Sequence, residues 1–313
     1  MLMTSRGSNE MSLEEDRDLR ALVIGWADTD RVRHLKSWNS RTARLTLWDA
    51  DGAQLMTKQV ESPEVAARLH RTMDAFADAA PPGVRRLRPL GWARQPPCVC
   101  MPYVDAPSLE TLIRREWFLW KAPPIEDVVA RVGTALAAFH STTRNADWIA
   151  REDAALPLSW ALEHAGPHEA ALRAAADATE PVQVYDDINP SHVLVEASMI
   201  TLIDLPNGTK IAHPHRDLAW FADQLFATLL RSLPRVPAAR QLARLADLRR
   251  QLLVAYFDAV GSELTEPDDH LVAAFQAFYL ARRKGRERSW VVSGLLRPPL
   301  AIQSRRLRSF LAT

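Results

Sequence analysis

Cysteine is nearly absent: 313 residues carry only Cys98 and Cys100. Two positions apart in a strand, they point to the same face and cannot close an ordinary disulfide with each other. A structural zinc site would need two further soft ligands nearby, and none is spaced for it. Both read as core or edge residues of a protein in a reducing compartment. Charge of one sign is missing too: 39 Lys and Arg against 38 Asp and Glu leave a formal net charge of +1, which supplies no global attraction to nucleic acid or membrane. No run approaches the roughly 18 apolar residues of a membrane helix. The start, Glu10-Met11-Ser12-Leu13-Glu14-Glu15-Asp16, is acidic and lacks the apolar core of a secretion signal. There are no internal repeats. These absences favour a cytoplasmic, non-membrane protein. The length suits one large domain or two lobes sharing a cleft.

What is present divides at about residue 103. Residues 1–17 are polar and aperiodic and read as a disordered tail. A β-rich region is expected from Leu19, filling an N-terminal lobe over 18–103. Ala43, Leu45 and Leu47 alternate with Arg44 and Thr46, the period of a half-buried strand. Asp49-Ala50-Asp51-Gly52 is a hairpin turn, and a second strand follows from Ala53 to Val60. Ser62 and Pro63 open a helix with Val65, Leu69, Met73 and Phe76 on one side. Two short strands lie near Arg88–Trp92 and Cys98–Met101. After a connector at 102–107 the chain turns helical, filling a second lobe over 104–313. Ile125, Val128, Val129, Val132, Leu136 and Phe139 define a long amphipathic helix. A β interlude spans about 182–211, and helices return from Asp217. The fold class is α+β, in two lobes.

The chemistry concentrates in Val184-Tyr185-Asp186-Asp187-Ile188-Asn189-Pro190-Ser191-His192-Val193-Leu194-Val195, followed by Leu202-Ile203-Asp204-Leu205. Two carboxylates stand at loop ends beside a β-hairpin, one suited to a substrate hydroxyl and the other to a metal. Magnesium takes hard oxygen ligands, commonly one or two carboxylates plus phosphates, and phosphoryl transfer asks mainly for positioning and charge neutralisation.

This segment resembles the catalytic loop of the aminoglycoside phosphotransferases and related small-molecule kinases, H-G-D-x-H-P-x-N-x-L, with a metal-binding I-D further on. The resemblance implies a two-lobed protein-kinase-like fold and ATP-dependent, or GTP-dependent, transfer of a phosphoryl group to a hydroxyl of a small molecule or peptide. It implies that Asp187 orients the acceptor hydroxyl and that Asp204 binds magnesium or manganese. Lys58, on the second strand of the hairpin, matches the lysine that pairs with the α- and β-phosphates. Met101-Pro102-Tyr103-Val104 resembles the hinge that contacts adenine through its backbone, so Met101 and Tyr103 are candidate nucleotide contacts. The turn Ser37-Trp38-Asn39-Ser40 stands where phosphates are covered, with Ser40 the candidate contact, although no G-x-G-x-x-G is present. Glu64 and Asp74 are candidate partners of Lys58. His213-Pro214-His215-Arg216-Asp217-Leu218-Ala219 resembles the family's D-P-x-x-D-L-A, with Asp217 fixing a helix start. Phe139-His140 matches a frequent Leu-His, with His140 a packed histidine.

Several positions depart from the pattern. Tyr185 replaces the His that braces the loop, Asp186 the Gly and Asn189 the second His. His192 stands where the family has a metal-binding Asn, and imidazole nitrogen suits manganese or zinc better than magnesium. Three readings stay open: His192 ligates a metal, or it hydrogen-bonds a phosphate while Asp204 and water hold the metal, or the site has lost metal-dependent catalysis. The last would make the chain a pseudokinase, a nucleotide-binding or protein-binding scaffold with a protein partner. Trp117, Phe118 and Trp120 are candidates to line an acceptor pocket. His164 and His168 are separated by Gly166-Pro167, against a shared metal, and His213 and His215 read as surface residues. The acidic group Glu263, Glu266, Asp268 and Asp269 reads as loop-like. The basic residues from Arg282 to Arg308 read as a solvated face or an attraction for an anionic partner; nucleic acid is the less favoured partner.

Overall fold

The computed structural model describes residues 13–40, 43–116, 125–144, 152–153, 156–163, 169–185, 187–197, 199–206, 210–232 and 239–286. The chain divides into two compact units. The first holds the described residues up to Asp78 together with Arg86–Asp105; the second holds Ala79–Arg85 and the described residues from Ala106 onward.

The first unit opens with helix α1 (Leu13–Ala27), where a disordered tail and then a β-rich stretch were expected. The reason is a helical stripe. Leu19 and Val23 are fully buried, Leu22 and Trp26 pack partly beside them, and together they seat α1 on Val32, Trp48, Ala50, Leu55, Cys98 and Cys100. The acidic residues of the same helix obscure that spacing in the sequence. Strands β1 (Val32–Asn39), β2 (Arg44–Ala50), β3 (Ala53–Gln59), β4 (Gly91–Arg94) and β5 (Pro97–Pro102) form one sheet in the order β1-β2-β3-β5-β4, with every neighbouring pair antiparallel. The β2–β3 turn needs left-handed backbone at Asp51 (φ 52°) and Gly52 (φ 88°), and the Asp49 carboxylate accepts the Gly52 N–H at 2.8 Å. Helix α2 (Pro63–Ala79) follows β3, capped by Ser62, whose hydroxyl accepts the Val65 N–H at 3.3 Å. Val65, Leu69, Met73 and Phe76 make its buried stripe.

Register sorts the sheet into two faces. Thr46, Thr57 and Cys100 lie across from one another, as do Trp48 and Leu55; several residues of this face form the core with α1. The Trp48 indole N–H donates to the Thr57 hydroxyl at 3.0 Å. The other face carries Leu45, Lys58 and Val99 in one row and Leu47, Met56 and Met101 in the next. Cys98 and Cys100 are buried free thiols, each pushed up to about 12 by desolvation.

The second unit contains α3 (Leu109–Glu116), α4 (Ile125–Thr143), β6 (Glu152–Asp153), α5 (Leu156–Glu163), α6 (Glu169–Asp177), β7 (Val182–Gln183), β8 (Val193–Glu196), β9 (Met199–Leu202), β10 (Lys210–Ala212), α7 (His215–Ser232), α8 (Ala239–Ala259) and α9 (Glu266–Arg286). A small sheet runs β6-β10-β7, and β8-β9 is a hairpin. Helices α4 and α8 cross so closely that a Cβ on Gly133 would lie 2.4 Å from the Leu252 carbonyl oxygen. The β8–β9 hairpin is clamped on both edges. Val195 N donates to the Pro107 carbonyl at 2.9 Å, and Ile200 N donates to the Gly83 carbonyl at 2.9 Å.

Two expectations are corrected here. His215 is buried at the start of α7, its Nε2 2.9 Å from Asp268, and is not a surface residue. Asp268 and Asp269 are not in a loop: they form the first turn of α9, where Asp268 also accepts from Thr265 and Asp269 pairs with Arg249 at 2.6 Å. Trp117, Phe118, Trp120, His164, His168, Asp186 and the basic residues beyond Arg286 lie outside the described residues. Among the described residues no helix is long and apolar enough to cross a membrane.

Candidate active site

In the second unit, Asp187 and Asp204 are brought into one hydrogen-bonded assembly. Asp187 follows β7, exposed, its N–H donating to the Tyr185 carbonyl at 2.9 Å. Asn189 then caps a single 3-10 turn, Pro190–His192, with extended backbone (φ −147°, ψ 166°). Its Oδ1 accepts from the Ser191 N–H at 3.0 Å and from the Ser191 hydroxyl. Its amide nitrogen donates to the Asp187 carbonyl at 3.1 Å. Asn followed by Pro is the sequence signature of this geometry, a cap and a first helical position.

The hairpin returns the chain to Asp204. The Ile203 N–H donates to the His192 carbonyl at 3.0 Å, so the backbone before Asp204 is fixed to the turn after Asp187. Asp204 itself is left-handed, with φ 60°. Few non-glycine residues adopt that conformation, and Asp is among those that do. Its Oδ2 lies 3.8 Å from His192 Nε2.

Tyr185 binds the two halves together. Its phenol donates to the carbonyl of Ile203, and its backbone N–H donates to the Asp217 carboxylate at 2.5 Å. Burial pushes the phenol well up, and the charges of Asp204, Asp217 and Asp187 push it the same way, so the hydroxyl keeps its proton and remains a donor. Asp217, in the first turn of α7 and fully buried, also accepts the Nε2–H of His140 at 3.0 Å, while His140 Nδ1 meets the Tyr256 hydroxyl at 3.0 Å. A carboxylate only accepts, so Nε2 carries the hydrogen. The chain Tyr256–His140–Asp217–Tyr185–Ile203 thus runs from α8 to the residue before Asp204. No local pattern marks Tyr256 for this, because it meets His140 across 116 positions.

In the first unit, Lys58 stands on β3 between Leu45 and Val99, with Met101 on the same face. The Tyr103 N–H donates to the Gln54 carbonyl at 2.9 Å. Ser40 closes its own turn: its hydroxyl donates to the Ala43 carbonyl at 2.9 Å and accepts the Ala43 N–H at 3.0 Å. Glu64 is lowered by its own backbone N–H and the Ser62 hydroxyl at the start of α2, and Asp74 pairs with Arg88 at 2.9 Å.

No family model matches the chain, and no curated protein matches it. Solved structures do. A macrolide 2'-phosphotransferase from Brachybacterium faecium superposes with a TM-score of 0.50 at 16% identity, covering 95% of this chain and 97% of that one. A choline/ethanolamine kinase family protein from Mesorhizobium loti gives 0.50 at 14% identity, covering 96% and 95%. The fold is that of the kinase-like small-molecule phosphotransferases. A spectinomycin phosphotransferase determined in complex with ADP and spectinomycin gives 0.50 at 14% identity, covering 94% and 92%.

Within this kinase-like fold, the fit to a divalent metal rests on Asp204. Among the described residues no three His, Cys, Asp or Glu side chains gather as a ready-made metal site. Magnesium bound with a nucleotide needs no such cage: one or two carboxylates suffice beside phosphate oxygens and water. Asp204, half exposed and fixed through Ile203, meets that requirement.

Proposed function

We propose that this protein is an ATP-dependent phosphotransferase that moves the γ-phosphoryl group to a hydroxyl of a small molecule or peptide. In the reaction the bond from the γ-phosphorus to the bridging oxygen breaks and a bond to the acceptor oxygen forms. The hydroxyl proton goes to Asp187, and ADP leaves. Lys58 pairs with the α- and β-phosphates. Met101 and Tyr103 contact adenine, Tyr103 through its carbonyl, since its N–H is bonded to Gln54. Asp204 holds the divalent ion, magnesium or manganese, which neutralises charge on the phosphates.

The observation that carries this reading is the double tie made by Tyr185. One residue bonds Asp217 through its backbone and the Ile203 carbonyl through its phenol, holding the strand end before Asp187 and the residue before Asp204 in fixed relation. Phosphoryl transfer depends on that kind of positioning. The phosphotransferases and kinase-family proteins with the same fold support the reaction class, and their acceptors argue for a small molecule.

Thermal unfolding with ATP or GTP, and with magnesium or manganese, tests the proposal. A ligand that binds only the native state raises its stability, by about 2.7 kcal/mol at 100 times Kd. The expected result is a metal-dependent rise in Tm that Asp204→Asn loses, followed by acceptor-dependent ADP release that Asp187→Asn loses. No rise with any nucleotide and metal would overturn the proposal and leave a scaffold.

A further inference from the structure

A bulge of one residue decides which way β1 points its side chains. His34 lies across from Trp48 but Lys36 lies across from Leu47, so Leu35 is an extra residue between them. Successive residues of a strand alternate between faces, and a bulge re-aims the side chains beyond it. In unbroken register Lys36 would lie across from Thr46, on the face that packs against α1. With Leu35 inserted, Lys36 and Trp38 join the opposite face. Trp38 stands in one row with Leu45, Lys58 and Val99, and Lys36 in the next with Leu47, Met56 and Met101. Lys36 is exposed, and Trp38, Leu45, Leu47 and Lys58 are half-buried. The Lys36 ammonium lies 5.7 Å from the centre of the Trp38 ring, an attraction that draws it from its own row toward the row of Lys58. It is held by a ring rather than by a carboxylate, which leaves its positive charge uncompensated. The turn that follows offers a phosphate little. The Ser40 hydroxyl is engaged with Ala43 in both directions, and no G-x-G-x-x-G is present to supply backbone N–H groups.

We propose that Lys36 is a second phosphate-binding lysine, aimed onto the Lys58 face by the bulge and steadied there by Trp38. The inference rests on the proposed function and deepens it: the phosphates of ATP lie over Leu45, between the ammonium groups of Lys36 and Lys58. Strands about 4.8 Å apart set the two lysine backbones about 10 Å apart across the sheet, one on either side of β2. The stem of Lys36 covers the apolar row of Leu47 and Met56, while its head reaches the phosphates. Phosphoryl transfer asks for charge neutralisation, and two ammonium groups supply it where the glycine-rich loop is missing. Trp38 is a positioning residue, since it acts through Lys36.

Binding of ATP with magnesium, and of adenosine, to the full chain tests this, because adenosine has the same base and no phosphate. Lys36→Met keeps an apolar stem and removes the charge. Its ATP affinity is expected to fall about tenfold, with adenosine affinity as in wild type and most of the ATP affinity restored in Lys36→Arg. Trp38→Leu leaves Lys36 charged but unsteadied and is expected to lose about threefold for ATP. Added salt should weaken ATP binding less steeply in Lys36→Met than in wild type. An equal fall for ATP and adenosine in Lys36→Met overturns the proposal, since Lys36 would then serve the base or the fold. ATP binding as tight in Lys36→Met as in wild type overturns it too and leaves the proposed function standing. If wild type binds neither ligand, the proposed function fails and this inference fails with it.

Discussion

Asp204 carries two properties that a substitution can separate. Its charge is proposed to serve the metal, and its left-handed backbone, φ 60°, costs an alanine about 1–2 kcal/mol but glycine nothing. Asp204→Ala therefore mixes lost charge with added strain. Three variants resolve them. Asp204→Asn, Asp204→Gly and Asp204→Ala all abolish the metal-dependent rise in Tm with nucleotide. In the absence of ligand, Asp204→Ala unfolds below Asp204→Gly by about 1 kcal/mol in urea titration. An alanine variant as stable as the glycine variant would show that the left-handed geometry is not held in solution.

Tyr185 is the other residue where loop and strand meet. Tyr185→Phe keeps the ring in its buried site and leaves the Ile203 carbonyl without its phenol. The expected loss is about 1–3 kcal/mol of unfolding free energy. A weaker nucleotide-dependent rise in Tm accompanies it, because the residue before Asp204 is less fixed. A variant that loses stability but keeps the full ligand effect would separate Tyr185 from the site. Replacement of the family's His by Tyr at this position is visible in the sequence. That its hydroxyl reaches the residue before Asp204 is not, because side-chain direction is set by packing 18 positions away.

Between elements, the tightest constraint is the α4–α8 crossing. A methyl on Gly133 would lie 2.4 Å from the Leu252 carbonyl oxygen and 3.1 Å from the Tyr256 nitrogen. Both are backbone atoms, so relief requires the helices to part. Gly133→Ala gains helix propensity in isolation, yet overpacking a core costs about 1–3 kcal/mol, and the clash outweighs the gain. The expected outcome is a lower Tm and weaker nucleotide binding, since Tyr256 anchors the chain of bonds through His140. The α7–α9 contact responds to acid. Burial raises the Asp268 carboxyl, but its bonds from His215 and Thr265 outweigh this and hold it below its ordinary value of 3.8. The unfolded chain thus takes up this proton first. The stabilisation is complete above about pH 4 and is lost as pH falls through the folded value. Between pH 5 and pH 3 wild type should lose more unfolding free energy than Asp268→Asn; equal slopes would remove Asp268 from the acid response.

The elements differ in how openly the sequence declares them, and the cause is the range of the interactions. The β2–β3 hairpin and α2 rest on local signals, Asp51-Gly52 and Ser62-Pro63, and were readable. Helix α1 was not, because its few apolar positions, Leu19, Val23 and Trp26, acquire meaning only against Trp48 and Cys100. His215 and Asp268 read as surface and loop residues because each conceals the other across 53 positions. The order of Asp187, Asn189-Pro190, His192 and Asp204 was legible as a pattern. That Asn189 turns its amide oxygen to Ser191 and its nitrogen toward His192 is not encoded by any pattern of residue types.

At the scale of the whole molecule, the two cysteines report on opening. Cys98 and Cys100 are fully buried in the core that joins α1 to the sheet, and desolvation pushes both thiols up to about 12. At pH 8 they lack both access and thiolate, so a disulfide reagent reaches them only when the first unit unfolds. Both should react with one rate, which measures the population of the open form when closing is fast. Lys58, on β3 of the same unit, is proposed to hold nucleotide phosphates. Saturation with nucleotide and metal at 100 times Kd should then slow the labelling about a hundredfold. In Lys58→Met that protection should vanish, while the labelling rate without nucleotide stays close to that of wild type. Protection unchanged in Lys58→Met would remove Lys58 from the nucleotide complex.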